Sequence, residues 1–220
     1  MKLIKKIVKS IMNLLFLLPR KLYYAKKKKA LRNNAPTIIS NDCFAGIAYH
    51  NLGLKFSSPT INLFLTKDDF ISFLQNIHGF LNSEIKECER NERNYPIGEL
   101  EYNSKKIKLH FLHYKTFDEA VTKWTQRKER IDFSNLYIIF TVSKDLTSEN
   151  VEAFKNLPYP NKLLITYPNN EFQEEFIITH DIFKKENYQA GEFLRFRPPF
   201  FYKRYMDDID YISFINSTNE

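Results

Sequence analysis

The sequence predicts an α/β domain: a mostly parallel sheet with flanking helices and one β-hairpin, preceded by an amphipathic helix. Three observations predict it. From residue 36 onward, short β-rich runs alternate with helical patterns. Two strand patterns flank the polar stretch Asn103-Ser104-Lys105-Lys106, as a hairpin requires. The first 32 residues carry apolar side chains at spacings of three and four among lysines. At 220 residues, 43% apolar and 15% aromatic, the chain can fill one hydrophobic core.

The elements follow in order. Thr37 to Ser40 reads as a strand, Asn41-Asp42-Cys43 as a polar turn, and Phe44 to Asn51 as a helix that Gly53 ends. After an irregular stretch at Ser57 to Leu65, Asp68 or Asp69 opens an amphipathic helix through Phe70, Phe73, Leu74 and Ile77. Residues 83 to 96 are polar and read as loop or frayed helix. Glu99 to Tyr102 and Ile107 to Tyr114 form the hairpin, and Phe117 to Ile131 a helix with Trp124 on its apolar stripe. Leu136 to Val142, Lys162 to Tyr167 and Phe176 to Thr179 are strands, with a helix at Ser148 to Leu157. The aromatic-rich end, Phe193 to Ile215, reads as a final helix packed on the body or near a membrane.

The net charge of +7 is unevenly placed. Residues 1 to 32 hold eleven Lys and Arg and no acid, leaving 22 basic against 26 acidic residues, a charge of −4, on the remainder. An acidic body with a polybasic arm predicts contact with an anionic membrane surface and no nucleic-acid partner. The arm, residues 1 to 35, is set off from a single domain, residues 36 to 220. In it Ile4, Ile7, Ile11 and Leu15 gather on one helical face, and the helix is expected to stop before Pro19. Lys26 and Lys27 then reach the headgroups, while Phe16, Tyr23 and Tyr24 suit the interface. The apolar run is too short to span a bilayer, and Pro-Arg-Lys stands where a signal peptidase needs small residues. The expected address is the cytoplasmic face of the cell membrane, with peripheral attachment. The two cysteines, Cys43 and Cys88, exclude a disulfide framework.

In open α/β sheets ligands sit beyond the carboxyl ends of the strands, so candidate site residues are sought there. Ser40, Asn41, Asp42 and Cys43 follow the first strand. A thiol at a helix N-terminus is favoured as thiolate, which makes Cys43 a candidate nucleophile; the alternative is a small buried side chain beside an N-cap. His113 and Tyr114, at the hairpin strand's end, are candidate acid-base groups, with His110 a binding or core residue. His110 and His113, three apart on a strand, point to opposite faces and cannot share a metal, and no metal site is expected. Trp124, Arg127 and Arg130 would bind substrate, the arginines clamping an anion, unless they only line a solvated helix face. Glycine-rich phosphate loops and the HExxH, GxSxG and CxxC patterns are absent from the sequence.

ISNDC at Ile39 to Cys43 with Gly46, Ser58-Pro59-Thr60, Tyr95-Pro96-Ile97-Gly98 and HFLHY at His110 to Tyr114 form an ordered set. Lys123-Trp124 with Arg127 and Arg130, then Leu157-Pro158-Tyr159 with Lys162, extend it. Over Thr37 to Phe196 the chain thereby resembles a family of bacterial exopolysaccharide-biosynthesis proteins. Phe44 stands where family members often carry tryptophan, which keeps aromatic packing and removes an indole donor. The resemblance implies a Rossmann-like fold and a polysaccharide-assembly setting, with no catalytic residues to carry over.

The reading that follows is a membrane-associated transferase acting on a glycan or lipid-linked glycan in exopolysaccharide or capsule biosynthesis, by acyl transfer through Cys43 and His113. No tightly bound cofactor is expected; a coenzyme A thioester or a nucleotide sugar would be the donor. The alternatives are a glycosyltransferase and a non-catalytic scaffold that recruits polysaccharide-assembly enzymes.

Overall fold

The computed structural model describes residues 11, 14–88, 95–169, 171–199 and 201–217. Helix α1 (Leu17–Ala30) leads into β1 (Thr37–Ser40) and α2 (Phe44–Leu52), followed by α3 (Lys67–Gln75) and α4 (Ile77–Asn82). Three antiparallel strands come next as the order β2-β3-β4: β2 (Lys86–Cys88), β3 (Ile97–Tyr102) and β4 (Lys105–His110). Helix α5 (Phe117–Lys128), β5 (Leu136–Val142), α6 (Ser148–Lys155), β6 (Lys162–Thr166), β7 (Ile177–Thr179) and α7 (Tyr211–Asn216) complete the fold. The main sheet has the order β1-β5-β6-β7, all parallel. The α/β class, the flanking helices and the hairpin therefore stand as the sequence predicts.

Strand alternation divides the core in two. Ile39, Ile138, Phe140 and Leu164 face one side, packed under α3 to α6 and the antiparallel sheet. Ile38, Ile139, Leu163 and Ile165 face the other, covered by α2, α7 and residues 182 to 209. Each successive parallel strand is added on the same edge, so the order of these strands never reverses, unlike doubly wound sheets that bind ligands at a reversal.

Several local expectations are corrected. Most of the helix expected ahead of Pro19 lies outside the described residues, but Pro19 does not stop helical structure: α1 starts at Leu17 with Pro19 in its first turn, where a missing N–H has no intrahelical acceptor to lose. Residues 83 to 96 include β2, paired with β3. The hairpin turns on two residues only, Asn103 (φ 49°) and Ser104 (φ 60°), the left-handed pair of a type I′ turn. β4 ends at His110, so His113 is not on a strand but on the turn that follows. The C-terminal segment is largely irregular, its helix confined to α7, because Gly191 and the Pro198-Pro199 pair interrupt the helical path.

Helix α1 is not a detached arm. Tyr24 Oη donates to Asp207 at 2.7 Å and Lys27 Nζ pairs with the same carboxylate at 2.9 Å. Arg20 Nε donates to the Phe201 carbonyl at 2.6 Å, and the Asn216 side chain bonds the Ala30 carbonyl and the Arg32 and Asn33 N–H groups. Tyr211 Oη reaches Asp207 at 3.3 Å, while the Lys27 ammonium lies 4.1 Å from the Tyr211 ring centroid. Lys27 and Tyr24 are thus committed to contacts with the body, and Tyr23 packs edge-on against Tyr202.

Candidate functional site

Beyond the carboxyl ends of β1 and β5, the Ser40–Cys43 turn is assembled by short-range hydrogen bonds. Ser40 Oγ donates to the Asp42 carbonyl at 2.7 Å and accepts from Ala45 N at 3.1 Å. Asn41 uses its side-chain amide as a second peptide: Nδ2 donates to the Thr141 carbonyl and Oδ1 accepts from Thr141 N, both at 2.9 Å. These contacts extend the β1–β5 pairing by one residue. Both side chains are buried, so the reading of Ser40 and Asn41 as substrate contacts is corrected.

Asp42 is the chemically prominent member. Its Oδ1 accepts from Phe44 N at 2.9 Å. Burial pushes the carboxyl up to about 6, although the Phe44 N–H and the nearby Thr141 hydroxyl favour the ionised form. A carboxyl that titrates near neutrality at a strand end can accept and return a proton in transfer chemistry. Its charge reaches Tyr188, whose hydroxyl is pushed up to about 12 by burial and then by Asp42 among others.

Cys43 departs from expectation. Burial, and secondarily the Asp42 charge, push its thiol up to about 12, so the helix N-terminus does not yield a thiolate. Native alkylation at pH 8 is accordingly expected to label Cys88, which has less of its thiol covered, and to leave Cys43 unmodified until the protein is denatured. Peptide mass spectrometry reads both sites. Rapid native labelling of Cys43 would restore it as a nucleophile.

Nor does His113 face Cys43. Residues 60 to 65 run between them: Ser40 N donates to Thr60 Oγ1 and Leu65 N to the Asn41 carbonyl on one side. On the other side Phe64 pairs with His110, and His113 N donates to the Asn62 carbonyl at 3.3 Å. His113 itself is exposed. His110 is half-buried, stacked on the Phe64 ring with centroids 4.2 Å apart and Nδ1 3.4 Å from Tyr95 Oη; burial lowers its pKa.

Tyr114 and Arg127 form a buried brace. Arg127 Nη1 donates to Tyr114 Oη at 2.5 Å and to the Ile61 carbonyl at 3.2 Å, and Tyr114 Oη donates to that carbonyl at 2.9 Å. The hydroxyl is committed to this network, which corrects its catalytic role, and Arg127 is not on a solvated face. Trp124 is core, edge-on to Phe73 at 6.1 Å, and so does not contact substrate. Arg130, exposed, donates to the Phe56 carbonyl at 3.1 Å. Of the sequence-derived set, the fold gathers Ser40 to Cys43 with Thr141, sets the Tyr114–Arg127 brace near Cys43, and leaves His110, His113 and Trp124 apart.

On α1, Leu18 and Leu22 are exposed by 65 and 64%, Lys26 is also exposed, and just ahead of the helix Ile11, Leu14 and Leu15 are exposed too, the two leucines by 74 and 64%. Ile4 and Ile7 lie outside the described residues. Among the described residues no helix is long and apolar enough to cross a membrane, and no group of three His, Cys, Asp or Glu is placed to hold a metal.

These features define an α/β protein with a parallel four-stranded sheet, a smaller antiparallel sheet, a helix docked on its surface and a titratable carboxyl at the strand ends. The model of the family described as Domain of unknown function (DUF1919) matches residues 17–216, and the chain belongs to that family. The match takes in α1, beyond the Thr37 to Phe196 stretch that carries the resemblance. The chain is also 33% identical over 190 residues to an uncharacterized protein of Haemophilus influenzae, covering 86% of this chain and 88% of that protein. Neither description names a polysaccharide.

Proposed function

We propose that this protein is a peripheral membrane transferase of surface-polysaccharide assembly, seated on the cytoplasmic leaflet by α1. The observation that carries the reading is the exposed leucine stripe formed by Leu18 and Leu22 on α1 and by Leu14 and Leu15 just ahead of it, while the opposite side of α1 is tied to the body through Tyr24 and Lys27. Burying one leucine is worth about 1.5–3 kcal/mol, and each Lys or Arg beside an anionic surface adds about 1 kcal/mol. Leu15, Leu18 and Leu22 would enter the headgroup boundary while Lys26 and Lys29 meet lipid phosphates.

Cosedimentation of the full chain with phosphatidylglycerol-containing vesicles tests this seat. Binding is expected to weaken with salt and to fall about 100-fold or more in a Leu15→Ser, Leu18→Ser, Leu22→Ser variant that melts like the parent. Parent-like vesicle binding by that variant would remove the reading.

Transfer chemistry is favoured over a scaffold role by Asp42, whose neutral-range carboxyl suits a general base for a glycan hydroxyl. This assignment replaces the Cys43–His113 acyl-enzyme. The donor would be a coenzyme A thioester or a nucleotide sugar, the acceptor a glycan or lipid-linked glycan.

A further inference from the structure

A groove of about 500 Å³ runs between α1, the end of α2 and the segment around Phe196 and Arg204. Four cations line it, Arg20, Lys21, Lys28 and Arg204, together with Asn51, and none of its lining residues is acidic. The Arg20 and Arg204 guanidiniums both lie over the Phe196 ring, 3.9 and 4.1 Å from its centroid, so two like charges are held against one aromatic side chain. Asp207, three residues on from Arg204, is already engaged by Tyr24, Lys27, Tyr211 and the Arg204 N–H.

Two donors in this groove have no hydrogen-bond partner although their atoms are buried: Arg204 Nε and Asn51 Nδ2. Leaving such a group unmade costs about 1–3 kcal/mol, which a protein tolerates where a ligand supplies the acceptor. A bridging water would satisfy one donor, whereas a phosphate, with several acceptor oxygens and a negative charge, answers Arg204 Nε and Asn51 Nδ2 together beside Lys21 and Lys28. The carbonyl end of α2 opposes an anion, and Lys28 offsets it, its Nζ lying 3.0 Å from where a Cβ on Gly53 would stand.

We propose that this groove binds a phosphate group, with Arg204, Asn51, Lys21 and Lys28 as its donors. That the phosphate is carried by a lipid rests on the membrane seat proposed above. At 100° per residue, Leu17, Lys21 and Lys28 fall on the flank of α1 between its docked side and the leucine stripe. A headgroup in the groove would leave its acyl chains along Leu18 and Leu22, which joins substrate or lipid recognition to attachment.

The test is calorimetric titration of the full chain with dihexanoyl phosphatidic acid below its micelle concentration, with inorganic phosphate and dihexanoyl phosphatidylcholine as separate arms. Saturable binding of the phosphatidic acid is expected, weakened about tenfold or more by Lys21→Gln with Lys28→Gln and again by Asn51→Leu, since a hydrogen bond to a charged group is worth about that much. These exposed lysines and the unpartnered amide are chosen so that thermal melts stay parental. Stronger binding of the phosphatidic acid than of inorganic phosphate supports the lipid source; equal binding supports the phosphate site and assigns it to a soluble phosphate compound. No heat with any phosphate compound, or affinity unchanged in both variants, overturns the site, as does equal affinity for phosphatidylcholine. The leucine-stripe variant should keep this soluble binding, so loss of vesicle attachment and loss of the phosphate site read out separately.

Discussion

Asp42→Asn is expected to stabilise the protein at pH 7.5 by about 3 kcal/mol, the equivalent of a carboxyl raised from an ordinary value of 3.8 to about 6. Below about pH 4 the side chain is neutral in folded and unfolded chains alike, and the two proteins should match in this respect. Between about 4 and 6 the unfolded chain ionises while the folded one keeps its proton, so parental stability falls as pH rises. Above 6 both states are ionised and the full penalty persists. Asparagine keeps the Oδ1 that accepts from Phe44 N, so the turn should survive. Urea melts of both proteins across this range would show the gap opening with pH; a constant or absent gap would remove the buried, destabilising carboxyl. A stabilising change that abolishes transferase activity would be the signature of a residue kept for chemistry.

Asp207→Ala should act in the opposite direction, lowering stability by about 3–5 kcal/mol, or about 6–20 °C in apparent melting temperature. Its side chain is fully buried and accepts from Tyr24 Oη, Lys27 Nζ, Tyr211 Oη and Arg204 N. Burial already outweighs the pairing at Lys27, whose pKa is lowered, so removing the carboxylate strands an ammonium the fold has desolvated. Adding Lys27→Met should recover part of the loss. Loss of less than about 1 kcal/mol on Asp207→Ala would show that α1 is held by its other contacts.

What the sequence displayed was whatever neighbours decide. The continuous apolar Leu136 to Val142 run, the Asn103-Ser104 turn and the Gly53 stop are local signals, and the strands and helices they mark form. Position 42 was legible as part of a strand-end turn, because a polar stretch between strand and helix is visible in order. Its neutral-range carboxyl was not, since burial is a property of the folded chain that adjacent residues do not display. Cys43 misled for the same reason: the dipole argument was local, and the burial and Asp42 charge that reverse it are not. Tyr24 and Lys27 read as membrane residues because their partner, Asp207, is 183 and 180 positions away. The phosphate groove was out of reach, its donors coming from α1, α2 and the C-terminal segment.

The tie between α1 and Asp207 also orders events during synthesis. With 183 residues between Tyr24 and Asp207, and elongation at about 5–20 residues per second, α1 waits on the order of 10–40 s for the carboxylate that fixes it. Its exposed leucines emerge before the body that clasps the helix is complete. On the membrane seat proposed above, a nascent chain in this state would find a bilayer first and close its C-terminal clasp afterwards, so attachment would precede maturation and the protein would be completed in place.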